Sequence, residues 1–256
     1  RQGRVLIGGR RAELKAREGN DKEVEARFYG PLEFGTAGLR GTLYTGLHNM
    51  NRHVIRWATQ GFANVIRAEG TEAMQKGVAV CMDCRNHSAE FARETACVMA
   101  ANGIHVRLFE SLRPTPELSF AVREYGCQAG VNVTASHNPK EYNGYKAYWD
   151  DGAQELAPHD KGIIDEVNKV SVADIRFEGN PELIQIIGKE VDDVYLEKVK
   201  SLSIDPACIQ RQKDLKIVYT PLHGTGMMLI PQSLKLWGFE NVHTVPEQMV
   251  KDGNFP

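Results

Sequence analysis

Val133-Thr134-Ala135-Ser136-His137-Asn138-Pro139-Lys140-Glu141-Tyr142-Asn143-Gly144-Tyr145-Lys146 is the stretch from which the rest of the chain is read. Ahead of it, Ala129-Gly130-Val131-Asn132-Val133 is a short apolar run of the kind that forms a buried strand. Behind it, Tyr145 to Trp149 alternates, with Lys146 and Tyr148 on one face and Tyr145, Ala147 and Trp149 on the other. Between the two, Ser136 is followed at once by a histidine and by Asn138-Pro139, a turn signal. A serine carried into a turn at the end of a strand is how a nucleophile is presented to a site. The plainer alternative is a turn serine that caps a helix.

Further strands and helices extend outward from this stretch. Gly77 to Met82 and His105 to Phe109 are strand-like. Asn51 is placed to cap a helix running to about Glu69, with Val54, Ile55, Ala58, Phe62, Val65 and Ile66 at helical spacing. Ser88 is expected as the N-cap of a helix over Ala89 to Ala101, and Pro114-Thr115-Pro116 opens another to about Tyr125. Strands alternating with helices at this spacing predict an α/β fold, a mixed sheet with crossover helices. Arg10 to Arg17 and Asp21 to Phe28 are charged, helix-like and expected on the solvated outside. A polar helix over Pro158 to Val170 closes a first domain at residues 1–171, and weakly periodic residues 172–189 read as a linker. Residues 190–256 then hold a helix (Glu190 to Leu202), a strand (Leu215 to Thr220), the turn Pro221-Leu222-His223-Gly224-Thr225-Gly226, a helix (Met227 to Trp237) and a strand (Asn241 to Val245). A strand, a glycine-rich turn and a helix start make a natural anion site. His223 has two open readings there, a phosphate contact or a hydrogen bond at the helix start.

The 256 residues are 42% apolar and 25% charged, ordinary for a globular protein, and the net charge of −2 gives no bulk attraction to nucleic acid or membrane. No apolar run reaches the roughly 18 residues of a membrane span. Five cysteines suit a reducing, cytoplasmic setting. Cys81-Met82-Asp83-Cys84 is a C-x-x-C without a second ligand pair, so two small side chains at a strand end is the favoured reading. The chain starts on Arg1 and stops at Phe255-Pro256, which suggests that both ends are cut.

Leu32 to Gly41, L-E-F-G-T-A-G-L-R-G, puts Gly35, Gly38 and Gly41 around Arg40. Such glycines let backbone approach a ligand closely, and the arginine fork suits phosphate oxygens. The pattern is neither G-x-G-x-x-G nor a Walker A loop.

T-A-S-H-N-P, Thr134 to Pro139, resembles the phosphoserine loop of the α-D-phosphohexomutases, the phosphoglucomutase and phosphomannomutase superfamily. Its continuation, N-G-Y-K-A-Y-W-D-D-G-A-Q, is most similar to the phosphoglucomutase-2-type branch, which includes phosphopentomutases. F-G-T-A-G-L-R-G, the D-x-R-x-x-S pattern of Asp83 to Ser88 and T-P-L-H-G-T-G also resemble family segments. The resemblance implies the fold of phosphohexomutase domain 1 followed by an incomplete domain 2 of similar α/β type. It implies an intramolecular phosphotransferase that interconverts hexose 1-phosphate and 6-phosphate through a phosphoserine and a bisphosphorylated sugar.

In that scheme Ser136 carries the phosphoryl group, Arg40 contacts it, and Lys146 is general acid or base. His137 either positions phosphate or shuttles a proton, with positioning favoured. Thr134, Asn138, Arg85 and His223 complete the expected substrate- and phosphate-binding set, with Arg85 and Asp83 expected mainly to brace the serine loop. Glucose 1,6-bisphosphate is the implied activator and intermediate, and the partner is a small sugar phosphate. The implied Mg²⁺ would take one ligand from phosphorylated Ser136. The family's D-x-D-x-D loop does not occur here, and Asp150-Asp151 and Asp192-Asp193 read as a turn and a helix face. The remaining ligands are expected outside this chain, and the fragment alone is expected to be nearly inactive, with apolar surface exposed in its second part. A pentose-phosphate substrate, a non-catalytic sugar-phosphate binder and a serine hydrolase are the alternatives. The last is weakest, since adjacent Ser136 and His137 lack a G-x-S-x-G elbow.

Overall fold

The computed structural model describes residues 12–35, 38–155 and 159–256. In chain order the first part comprises α1 (Asp21–Phe28), β1 (Leu39–Thr42), α2 (Arg52–Ala68), α3 (Thr71–Lys76) and β2 (Val78–Met82). It continues through α4 (Ser88–Ala101), β3 (Val106–Phe109), α5 (Thr115–Glu124), β4 (Ala129–Val133), β5 (Tyr142–Trp149), α6 (His159–Lys169) and β6 (Ile184–Ile187). The second part is α7 (Lys189–Lys200), α8 (Pro206–Arg211), β7 (Ile217–Tyr219), α9 (Gly226–Trp237) and β8 (Val242–Thr244).

The six strands lie in the order β1-β5-β4-β2-β3-β6. β4, β2, β3 and β6 are mutually parallel, whereas β5 runs antiparallel to both β4 and β1. This is the mixed α/β sheet expected. β2 and β4 are buried along their whole length, which is why they appear in sequence as continuous short runs without alternation. β2 leads through α4 to β3 on one side, and β3 returns through α5 to β4 on the other. Right-handed crossovers therefore put α4 and α5 on opposite faces. The β5 alternation agrees with this. Trp149 lies tilted against Phe62 of α2, with centroids 6.2 Å apart, while Tyr148 lies with Leu118 and Val122 of α5 around Gly130.

Asn51 caps α2 as expected, accepting from the His53 and Val54 amides at 3.1 and 3.3 Å. Three expectations need correcting. Ser88 is the first residue of α4 and not its cap, because its hydroxyl donates to the buried Asp83 carboxylate at 2.7 Å. Residues 172–189 are not all linker, since β6 pairs with β3 from Ile184 to Ile187 and extends the sheet. Asp192 lies on a helix face as expected, and that position is buried against Arg113. α1 is not wholly solvated, because Arg27 is buried and pairs with Glu13 at 2.6 Å. The start of the expected Arg10–Arg17 helix, and Pro158, lie outside the described residues.

In the second part β7 and β8 pair in parallel, and α9 packs on α7 and β8. Ile204, Val218, Leu215 and Leu222 are exposed there, as expected. Among the described residues no helix is long and apolar enough to cross a membrane.

Candidate active site

β4 and β2 are parallel and in register from Val78–Ala129 to Met82–Val133, so their C-terminal ends open side by side. Ser136 follows one and Asp83 to Ser88 follow the other. The Asp83 amide donates to the Val133 carbonyl at 3.1 Å and continues the ladder one step beyond the strands. In open α/β sheets a ligand binds beyond the carboxyl ends of strands, and this is such an edge.

The serine loop is held from inside. Arg85, 3% exposed, donates Nη1 to the carbonyls of Pro139 and Tyr142 at 2.8 and 3.1 Å. Its Nη2 donates to the carbonyls of Ser136 and Asn138 at 2.9 and 2.5 Å. Asp83 lies 3.3 Å from Arg85 Nε and also accepts from the Arg85 amide at 2.9 Å. One guanidinium thus satisfies three carbonyls of a turn that has no ladder of its own and a fourth at the start of β5. The contacts support bracing as the work of Arg85, which leaves no Nη for an anion at this pose. Thr134 acts in the same way, its Oγ1 accepting from the Ser136 amide at 3.0 Å. Asn138 enters through its backbone, with its amide on the Ala135 carbonyl.

So held, Ser136 takes φ +57°, a left-handed conformation uncommon for serine, and its side chain is exposed. Strain of this kind persists where surrounding contacts over-determine it. His137 is also exposed, with Nδ1 3.3 Å from Ser136 Oγ.

Arg40 and Lys146 come from the neighbouring strands. Arg40 of β1 is paired with Gly144 of β5, and Lys146 of β5 with Asn132 of β4. Arg40 is exposed and Lys146 half-buried. Burial, and then the nearby Arg40 charge, hold the Lys146 amine below the ordinary lysine range, and Asp83 partly offsets them. Its proton is thereby more easily released, which suits acid–base work. His223 of the second part is buried, with Nδ1 3.1 Å from the Val250 carbonyl, so its ring is engaged at the helix-start turn. The same 250–254 segment reaches Asn86 beside the serine loop, through the Gly253 carbonyl and Asn254 Oδ1.

Two family models match the chain. Residues 31–174 match phosphoglucomutase/phosphomannomutase, alpha/beta/alpha domain I, and residues 193–256 match its domain II. The chain belongs to this family. It is 35% identical over 251 residues to the phosphopentomutase of Pongo abelii, covering 93% of this chain and 41% of that protein. It is 37% identical over 236 residues to the phosphoglucomutase of Staphylococcus haemolyticus, covering 90% and 42%. The chain therefore spans about two fifths of the length of these relatives. A solved phosphoglucomutase/phosphomannomutase family protein from Burkholderia thailandensis shares the fold, with TM-score 0.65 and 23% identity, covering 87% of this chain and 45% of that one.

Within this mutase-family site, sequence reasoning missed Asn143. It is fully buried and ties the loop to the β2 end, donating to the Asn86 carbonyl at 3.0 Å and Ser88 Oγ at 2.9 Å. Its Oδ1 accepts from the Gly144 amide at 2.7 Å. The available signal was Asn143-Gly144 opening a strand, where a turn pair has no other reason to be. Gly144 itself cannot carry a side chain: a Cβ there would lie 2.5 Å from the Thr134 carbonyl oxygen and 2.9 Å from that of Leu39. Gly144→Ala must therefore part β1 from the serine loop. It should cost about 1–3 kcal/mol in denaturant unfolding, and an unchanged midpoint would contradict the packing described.

Cys81 and Cys84 are free and buried. Burial pushes both thiols up, Cys84 to about 11, the opposite of a reactive C-x-x-C. Mg²⁺ needs several hard oxygens. Among the described residues no three His, Cys, Asp or Glu come together in a metal-holding group.

Proposed function

We propose that this chain provides the phosphoryl-carrying centre of a sugar-phosphate mutase that interconverts hexose 1-phosphate and hexose 6-phosphate. The observation that carries the proposal is the exposed Ser136 hydroxyl on a left-handed turn, fixed from beneath by the four carbonyl bonds of Arg85. Fixing a reacting atom in this way lowers the barrier by positioning.

In the resting form Ser136 Oγ carries phosphate. A free sugar hydroxyl attacks phosphorus, forming a new P–O bond as the bond to Ser136 Oγ breaks. The hydroxyl proton leaves to a base and another reaches the serine oxygen. Lys146, with its lowered proton affinity, is suited to both transfers. Arg40 offsets charge spread over the phosphoryl oxygens. The bisphosphorylated sugar then turns and returns its other phosphate to Ser136 by the reverse steps.

Similarity to the phosphopentomutase of Pongo abelii favours a second substrate, a pentose 1-phosphate. Turnover of glucose 1-phosphate against ribose 1-phosphate by the full-length protein separates the two. The carrier step is tested by incubating the protein with glucose 1,6-bisphosphate and mapping its peptides by mass. Phosphate on Ser136 is expected, and phosphate on another residue, or none with the full-length protein, would sink the assignment.

A further inference from the structure

Arg113 lies in the β3–α5 loop, 1% exposed, in a charged cluster that the transfer chemistry does not use. Its Nε and Nη2 donate to Asp192 Oδ1 and Oδ2 of α7 at 2.7 and 2.8 Å, a two-pronged pair between residues 79 positions apart. Nη1 donates to Ser111 Oγ at 2.6 Å, and Nη2 is 3.3 Å from Glu110 Oε1. Glu117 of α5 is fully buried, with Oε2 3.9 Å from Arg113 Nε and its carboxyl beside that of Asp192. Burying so many ionisable groups is costly, and apolar side chains of similar size would close the gap at least as well.

What the cluster holds is the end of β2. The Arg113 amide donates to the Met82 carbonyl at 3.1 Å, and the Arg113 carbonyl accepts from Cys81 Sγ at 3.3 Å. The next residue is Asp83, whose carboxylate anchors Arg85, and Arg85 grips the serine loop. Contacts are therefore continuous from α7, at the start of the second part, to Ser136.

We propose that Arg113 and Asp192 are positioning residues that tie the placement of α7 to the placement of the Ser136 hydroxyl. The inference rests on the mutase function proposed above. When Asp192 releases Arg113, the β2 end loses its outer support and the Asp83–Arg85 brace shifts with it. Glu117 modulates this grip. The groups facing it are Arg113 from the β3–α5 loop (itself also paired with Glu110), Asp192 and Tyr195 from α7, and Cys81 from β2. Burial, and then the adjacent Asp192, hold the Glu117 carboxyl well above the ordinary range, so it is neutral near pH 7. Once ionised in alkali, Glu117 competes with Asp192 for Arg113, and the grip loosens.

The test uses the full-length protein and single-turnover phosphorylation of Ser136 by glucose 1,6-bisphosphate. Asp192→Asn is expected to slow transfer about tenfold or more, with the KM for sugar phosphate within about twofold, because only the reacting atom is displaced. Asp192→Glu, which keeps the carboxylate, should recover part of the loss. Glu117→Gln copies the neutral acid, so it should match the native rate at pH 7 and lose less of it toward pH 9. A folded Asp192→Asn protein with the native rate, or a Glu117→Gln profile that follows the native one, overturns the coupling. Should Asp192→Asn fail to fold, the Glu117→Gln profile alone decides. If the native protein places no phosphate on Ser136, the mutase function itself fails, which is a different result from a variant that equals an active native protein.

Discussion

Ser136→Gly should give a protein about as stable as the native one that cannot carry phosphate. Serine at φ +57° is held against its backbone preference. Glycine removes a left-handed penalty of roughly 1–2 kcal/mol and adds an unfolded-state entropy cost of about 0.5–1 kcal/mol. The bond from the residue 136 amide to Thr134 Oγ1 is a backbone bond and survives the change, as does that from Arg85 Nη2 to the residue 136 carbonyl. The exposed side chain contributes little burial. The unfolding free energy should therefore change by no more than about 1 kcal/mol in either direction, while mutase turnover falls by at least about 10³-fold for want of a nucleophile. Ser136→Ala loses the same hydroxyl without the backbone relief, so it should be equally inactive and slightly less stable than the glycine variant. If either variant kept native turnover in the full-length protein, the phosphoryl carrier would have to be another residue.

The parts of this architecture that sequence discloses are the local ones. β2 and β4 are continuous buried runs, α2 has its Asn51 cap and a helical apolar stripe, and the Ser136 turn is written in Ser-His-Asn-Pro. Partners far apart in the chain are not written locally. β1 lies in what reads as a glycine-rich loop, because its strand character comes from pairing with β5, a hundred residues on. β6 reads as linker because Ile184–Ile187 has only four residues and depends on the open edge of β3. Asp192 next to Asp193 reads only as a helix face, and nothing local announces the Arg113 brought to it from 79 residues away. The same limit applies within the site. Ser136 and Lys146 stand out in a local motif, whereas Asn143 and Ser88 act only by what they touch in the fold.

Arg85→Lys should damage transfer more than stability, and Arg85→Met should damage both. The native guanidinium satisfies four carbonyls in two directions while its Nε faces Asp83. Lysine brings one ammonium with three donors and no planar fork, so at least one carbonyl is abandoned and the turn relaxes. Its charge still compensates Asp83, which limits the loss of stability to roughly 1–3 kcal/mol for unmet acceptors. Displacing Ser136 Oγ by even 1 Å is enough to slow transfer by about 10²-fold. Methionine removes the charge as well. It leaves Asp83 buried without its cation, at a cost of about 3–5 kcal/mol. Adding Asp83→Asn to Arg85→Met removes the orphaned charge while its side-chain oxygen still accepts from Ser88. Part of the stability should then return in denaturant unfolding, but the phosphorylation rate of Ser136 should not, because the loop still has no clamp. Recovery of the rate along with the stability would mean that Arg85 serves only to neutralise Asp83, and that something other than this arginine positions the serine loop.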